Sequence, residues 1–525
     1  MTTAEVSTPQ RLSVLDDAFM SRLAQSVAVT AERPHRDILC PFDGAVIGSV
    51  PIGTADDVDA AFERARRAQK EWAATPVKAR AQILSRFHDL LFRHEQQMLD
   101  IIQSETGKAR SSAFEENLHT AITARYYSNT AAKVLRPQHR HGAIPGMTAT
   151  TVHHHPVGVV GVIAPWNYPL TLSVSDAVAA LAAGNAIVLK PDSQTPFSAL
   201  YAVQLLKEAG LPKDLFQVVT GPGSVVGTAI VESCDYLMFT GSTSTGRTLA
   251  QQASDRLIGF SAELGGKNPM IVASDADITA AVEGLIIGAF SNSGHLCVSI
   301  ERLYVVDSVW DDFIPALVDR VRAMTLGAGF DWEIEMGAIS SQSQLDTIEQ
   351  MVADAVDKGA TILTGGKARP DLGPQFYEPT LLTDIPDDAA LAREEVFGPV
   401  VSVWRVADEA EAIAKANDTS YGLNASVWAK PSTGVRIATQ LQAGSVNIND
   451  GYAASFASVD APMGGMKSSG VGRRQGAEGL LRFTEAQTVT VQRIMPIAMP
   501  MLPRETYAKL AGGLMRAGKT LRILT

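Results

Sequence analysis

Cysteine is scarce in this chain: only Cys40, Cys234 and Cys297 occur in 525 residues, and no two of them form a C-x-x-C pair. That excludes a disulfide-built fold and a thiolate zinc site, and it suggests a reducing compartment. Basic charge is also short. With 45 Lys and Arg against 56 Asp and Glu, the net charge is −11, whereas a nucleic-acid partner would need a basic face. No apolar run approaches a membrane span, and residues 1–10 lack the charged-then-apolar pattern of a secretory signal. The expectation is a cytoplasmic protein with neither a nucleic-acid nor a membrane partner. Internal repeats and low-complexity linkers are absent too.

What remains is an ordinary globular composition, 46% hydrophobic and 19% charged. The length exceeds what one core serves, so two or three domains are expected. From residue 157 the pattern alternates between strand and helix. Residues 157–163 and 186–189 are short, branched and apolar, as buried strands are. Residues 172–183 read as a helix stopped by Gly184-Asn185, and 196–209 as a second helix. Strands at 215–219 and 236–240 continue the series. This alternation predicts an α/β fold with a parallel sheet, whose ligands gather at the carboxyl ends of the strands. Asn167, Lys190 and Gly241-Ser242 fall there. A second alternating block, 268–444, predicts another α/β lobe carrying Cys297.

Three residues offer chemistry. Cys297 follows a loop of small and polar residues, Phe290-Ser-Asn-Ser-Gly-His-Leu-Cys297; a lone cysteine is as readily a packing residue. Glu263, in Glu263-Leu-Gly-Gly-Lys-Asn-Pro269, could activate water. Asn167, in Ala164-Pro-Trp-Asn-Tyr-Pro169, could supply an amide to an oxyanion. At the start of a helix, Gly241-Ser-Thr-Ser-Thr-Gly246 suits a pyrophosphate, although a plain helix cap has the same look. Gly221-Pro-Gly-Ser-Val-Val-Gly227 reads as a turn with a packing glycine, and neither segment matches G-x-G-x-x-G.

Taken together, the Pro-Trp-Asn, Glu-Leu-Gly-Gly-Lys and Cys297 segments resemble the NAD(P)-dependent aldehyde dehydrogenase superfamily. Phe239-Thr-Gly-Ser-Thr-Ser-Thr-Gly246, Glu395-Val-Phe-Gly-Pro399 and Pro462-Met-Gly-Gly-Met-Lys-Ser-Ser-Gly470 extend the match in family order over residues 35–495. The resemblance implies a Rossmann-type parallel-sheet cofactor domain, an α/β catalytic domain and a small β oligomerisation hairpin. Its expected divisions are 1–136 and 158–262 for the cofactor domain, 137–157 for the hairpin and 263–470 for the catalytic domain. Residues 471–497 return to the cofactor domain and add an oligomerisation strand, and 498–525 form a tail. A homodimer or homotetramer is implied. So is a mechanism in which Cys297 attacks an aldehyde as thiolate, Asn167 and the Cys297 backbone N–H hold the oxyanion, and Glu263 deprotonates the water that hydrolyses a thioester. Cofactor contacts are implied for Trp166, Lys190, Ser193, Gly241, Ser242, Leu264, Glu395 and Phe397.

Ser193 bears on which cofactor is used. NAD-preferring relatives commonly carry a glutamate there. A carboxylate about 4 Å from a 2′-phosphate would cost on the order of 4 kcal/mol at moderate dielectric. Serine removes that repulsion and Lys190 offers a cation, so NADP is expected, with NAD as the alternative; the direction of Asp192 is left open. Overall the chain looks most like NADP-dependent succinate-semialdehyde dehydrogenases of the longer actinobacterial type. Yet Ser175 and Ser291 stand where two arginines that clamp the substrate carboxylate are expected. Ser458 matches a substrate-contacting serine, and His295 offers a partial substitute. Other readings are a hydrophobic or aromatic aldehyde as substrate, a cysteine hydrolase and a catalytically silent interaction protein. A metal site at His139, His141 and His153-His-His155 is outweighed by a polar interface strand, so no metal is expected. The basic tail, 507–522, is expected to pack on the catalytic lobe or to be loosely ordered, since Gly512-Gly513 weakens a helix.

Overall fold

A computed structural model describes residues 15–142, 147–493 and 502–521. The strands Val159–Ile163, Ala186–Lys190 and Tyr236–Thr240 are buried along their whole length, as strands covered by helices on both faces must be. They belong to a six-stranded sheet ordered Gly470–Val471, Gly259–Glu263, Tyr236–Thr240, Val159–Ile163, Ala186–Lys190, Phe216–Val218. Five of these run parallel, and only the short Gly470–Val471 is antiparallel. The chain winds one way through 159–218 and the other way through 236–263. The reversal opens a crevice at the carboxyl ends of Val159–Ile163 and Tyr236–Thr240.

The helix Pro169–Ala183 follows the first of these strands. It is buried at every position, Thr171, Ser173, Ser175 and Asp176 included, and it ends on Gly184 at φ +103°. Its first N–H groups are served from the helix Arg110–Val134, where Glu116 Oε1 accepts from Leu170 N at 2.6 Å and Thr171 N at 3.0 Å. Lys108 Nζ lies 3.0 Å from Glu116 Oε2, both side chains being fully buried, and donates to Asn167 O at 2.7 Å. One buried ion pair thus fixes the turn between strand and helix.

A second sheet has seven strands, ordered Thr361–Thr364, Thr380–Thr383, Val400–Val406, Ile300–Val306, Asn268–Val272, Asn424–Trp428, Ser445–Ile448. All pairs are parallel except the first. Only Leu264-Gly-Gly-Lys267 separates the last parallel strand of one sheet from the first strand of the other in sequence. Cys297 lies just before the strand Ile300–Val306.

A third sheet pairs Thr484–Gln492, Thr148–Pro156 and Gln138–Arg140, strands that lie within the segments 471–497 and 137–157. Its histidine rings bond to neighbouring strands: His154 Nδ1 to Thr484 Oγ1 at 3.2 Å, His155 Nε2 to Gln487 Oε1 at 3.0 Å and His139 Nδ1 to Thr151 Oγ1 at 3.3 Å. Among the described residues, no group of three or more His, Cys, Asp or Glu is placed to hold a metal, and no helix is long and apolar enough to cross a membrane. The glycine segment at 221–227 differs from expectation: residues 223–227 form one wide helical turn that runs into the helix Thr228–Ser233.

The tail corrects a second expectation. Residues Arg504–Leu521 form a helix straight through Gly512-Gly513, with Leu510, Leu514 and Met515 exposed. Two glycines cost about 1 kcal/mol each in a helix. Here the Ala, Leu, Met, Lys and Arg around them are strong helix formers, and Lys509 pairs with Glu505 one turn away at 2.7 Å.

Lys108→Met would leave Glu116 buried without its cation. We expect a loss of about 3–5 kcal/mol of stability, read from the denaturant midpoint; an unchanged midpoint would show that the pair does not hold this turn.

Candidate active site

The approach to Cys297 is a strained loop. Asn292, Ser293 and Gly294 take φ of +51°, +54° and +73° in succession, a left-handed run that costs about 1–3 kcal/mol at each non-glycine. Surrounding bonds impose it. Asn292 N donates to Ser112 Oγ at 3.0 Å, and Asn292 Nδ2 donates to Asn167 O and His295 O, both at 3.0 Å. A Cβ on Gly294 would stand 2.2 Å from Gly398 O. Asn167 Nδ2 donates one hydrogen to His295 O at 3.0 Å, so the asparagine amide and the cysteine loop share an anchor. The second amide hydrogen is the one available to an oxyanion.

Cys297 is half-buried and packs with Tyr168, Leu172, Tyr452, Phe456 and Met463. Burial pushes its thiol up to about 12; Glu263 and Glu395 add to the rise and Arg474 opposes it. The resting thiol is therefore protonated at neutral pH. Glu263 ends the strand Gly259–Glu263 and is 4% exposed. Burial raises its carboxyl to about 7 against the pull of Arg474. A carboxyl in that range can take and return protons near neutrality.

The remaining predicted residues divide. Trp166, His295 and Phe397 gather edge to face and stacked, with ring centroids 5.0 to 6.0 Å apart. His295 is fully buried in that group, with Nδ1 3.4 Å from Ser340 Oγ and Nε2 without a partner. Glu395 Oε1 accepts from Gly266 N at 2.7 Å, and a Cβ on Gly265 would meet its Oε2 at 2.2 Å. Glycine is required there by this close approach. Leu264 packs against Gly246 at the start of the helix Thr243–Asp255, where Ser242 is the N-cap and Gly241 N bonds to Glu263 O at 3.1 Å. Lys190, nearly buried, ends its strand with Nζ on Pro191 O at 2.9 Å. The Ser193 hydroxyl donates to Gly221 O at 3.1 Å. Asp192 Oδ1 accepts from Gln194 N at 2.9 Å, so its charge is tied into its own turn. Ser458 is not brought in: it is exposed, with its hydroxyl on Ala454 O at 2.7 Å.

Sequence reasoning missed the supports. Lys267 and Glu301 form a buried pair at 2.7 Å, and Glu301 accepts from Val396 N and Phe397 N at 2.9 to 3.1 Å, which holds the Glu395 loop. Lys267 stood inside the Glu-Leu-Gly-Gly-Lys motif and could have been suspected; Glu301, Lys108 and Glu116 carry no motif. Arg474, buried and 2.8 Å from Asp176, was also unmarked. The crevice presents the helix start at Ser242, the Lys190 cation and the Ser193 hydroxyl just past strand ends, and the Glu395 carboxylate on a loop bonded to Gly266. That donor set fits a nicotinamide dinucleotide.

Comparison with known proteins agrees with this geometry. The model of the aldehyde dehydrogenase family matches residues 28–489. A Mycolicibacterium smegmatis protein named "Putative succinate-semialdehyde dehydrogenase", NADP(+) form, is 55% identical over 92% of this chain and 94% of its own length. The Escherichia coli succinate-semialdehyde dehydrogenase GabD, also an NADP(+) form, is 37% identical over 87% of this chain and 94% of its own. Among solved structures, the NAD+ complex of a Bacillus cereus aldehyde dehydrogenase superposes with a TM-score of 0.85 at 34% identity, covering 91% of this chain and 99% of that one. Sequence motifs, fold and site thus converge, and the chain belongs to the aldehyde dehydrogenase family.

Proposed function

We propose that this chain oxidises succinate semialdehyde to succinate with NADP, through a covalent intermediate on Cys297. The observation that carries the reading is the meeting of Cys297, Glu263 and Asn167 beside the crevice that ends in Lys190 and Ser193. The relatives named above support the substrate and the cofactor.

The thiol must lose its proton as it attacks the carbonyl carbon. Glu263 is the carboxylate whose charge acts most strongly on it, and it is the proton acceptor. The resulting oxyanion is met by the free Asn167 amide hydrogen and the Cys297 N–H. When bound, NADP supplies the acceptor for the hydride that leaves this carbon, and a thioester on Cys297 remains. Glu263 first releases the thiol proton to solvent; it then takes a proton from water as the water oxygen attacks the thioester carbon, and the C–S bond breaks to release the acid while the sulfur takes the proton back from Glu263. Lys190 and Ser193 hold the 2′-phosphate by a cation and a hydroxyl, beside Asp192, whose Oδ1 is bonded to Gln194 N. Trp166, Gly241, Ser242, Leu264, Glu395 and Phe397 line the rest of the cofactor path. In this reading residues 158–262, with 1–136 and 471–497, form the cofactor unit and 263–470 the catalytic unit. Two or more copies assemble through the edge strand Thr484–Gln492, where Val489 and Val491 are 43% and 57% exposed.

Four outcomes are expected. Initial rates should favour succinic semialdehyde with NADP over medium-chain or aromatic aldehydes and over NAD; faster turnover of apolar aldehydes would overturn the substrate assignment. Glu263→Gln removes the base for both the thiol and the water, so the NADPH burst and steady turnover should both fall about 10²–10⁴-fold. In the unaltered protein the rate should rise with pH through about 7, because Glu263 works as base only when deprotonated, and a steady rate untouched by the substitution would rule out that role. Light scattering should give a mass of at least two chains; a single-chain mass would end the assembly proposal.

A further inference from the structure

A carboxylated aldehyde needs an anchor for its far end, yet Ser175 and Ser291 stand where arginines were expected. The wall beside Cys297 contains an alternative. On the helix Arg110–Val134, His119 and Thr123 lie one turn apart on one face, and both His119 Nδ1 and Thr123 Oγ1 are buried without a hydrogen-bond partner. Ser175 Oγ, on the helix Pro169–Ala183, is in the same condition. It stands one turn beyond Thr171, whose hydroxyl meets Thr120 at 2.9 Å. The His119 ring stacks on Phe456 at 3.9 Å, and Phe456 belongs to the cluster that packs around Cys297. Each buried unmade bond costs about 1–3 kcal/mol, and groups left so need an explanation.

Gln475 Nε2 lies 3.2 Å from Phe456 O, an acceptor, so this end of the amide is the donor. The same nitrogen is 3.0 Å from His119 Nε2, and in the tautomer that completes this contact Nε2 accepts. The neutral ring then carries its hydrogen on Nδ1, the atom without a partner. Behind it lies an uneven ion cluster. Asp176 is bonded to both Arg474 and Arg482, all three side chains being less than a tenth exposed. Two guanidiniums against one carboxylate leave a buried positive charge over. Glu263, half-protonated near pH 7, balances it in part.

We propose that His119 Nδ1–H and the Ser175 hydroxyl hold the distal carboxylate of the substrate, with the surplus positive charge of Arg474 and Arg482 over Asp176 attracting it from behind. The inference rests on the carboxylated-aldehyde reading above. Neutral donors make the short contacts here, and the guanidiniums act at one remove, so His119 is the specificity residue and Arg474 a positioning residue. Since burial, reinforced by Arg474, lowers the His119 ring to about 3, it stays a neutral donor across the working range of pH.

The test compares succinic semialdehyde with its uncharged methyl ester in the intact enzyme and in His119→Leu, His119→Gln and Ser175→Ala. Succinate protection of Cys297 against iodoacetamide gives a readout independent of turnover. His119→Leu should raise KM for the semialdehyde about tenfold or more, affect the ester far less, and abolish protection by succinate. His119→Gln keeps a donor and should restore most of both, which a merely misfolded variant would not do. If His119→Leu and Ser175→Ala leave the semialdehyde-to-ester ratio and the protection intact, the cradle is refuted while the substrate stands. If the unaltered enzyme already fails to prefer the semialdehyde, the carboxylated substrate itself is wrong, and the inference falls with it.

Discussion

Lys108 lies in the interior with its ammonium 3.0 Å from Glu116, and the contact ties together segments far apart in sequence. Glu116 supplies the acceptor that the first turn of the helix Pro169–Ala183 lacks. Lys108 pins the carbonyl of Asn167, and that carbonyl also receives the amide of Asn292 in the cysteine loop. Remove either charge and the other is left in a medium where an unpaired ion costs several kcal/mol. Lys267 and Glu301 repeat the device on the other side, where Glu301 takes the backbone N–H groups of Val396 and Phe397. Asn167, the Cys297 loop and the Glu395 loop are therefore positioned by buried salt bridges.

The same dryness sets the chemistry. Burial is the largest cause of the rise in both Cys297 and Glu263. A thiol at about 12 is a poor nucleophile on its own at neutral pH, and a carboxyl at about 7 is a competent base there. Arg474 opposes both shifts. It is the fixed cation that keeps desolvation from carrying either group out of range.

Much of this was legible from sequence because strands buried on both faces have an unmistakable composition. Residues 157–163, 186–189 and 236–240 announced a parallel sheet, and parallel sheets place ligands at their carboxyl ends. Asn167, Lys190 and Gly241 followed from that rule, and the motif resemblance added Cys297 and Glu263. The supports were not legible, since Lys108 and Glu116 or Asp176 and Arg474 meet only through tertiary packing and have no spacing of their own. The tail failed for a different reason. Two adjacent glycines were weighed as a break, whereas helix formation sums propensity over the whole window, and sixteen other residues outvoted them.

The absence of arginine at 175 and 291 looked at first like an argument against a dicarboxylate product. It holds only if recognition must be by direct ion pair. A carboxylate moved from water into a dry pocket needs hydrogen bonds to its oxygens and a compensating charge, but the two need not come from the same group. Here donors without partners stand in the wall at His119 and Ser175, and an excess of positive charge is stored behind them at Arg474 and Arg482. Separating the two roles has a physical advantage in this site. A guanidinium in direct contact with substrate would also lie close to Cys297 and Glu263 and depress both, whereas one shielded by Asp176 tempers them while leaving Glu263 basic enough to act on water.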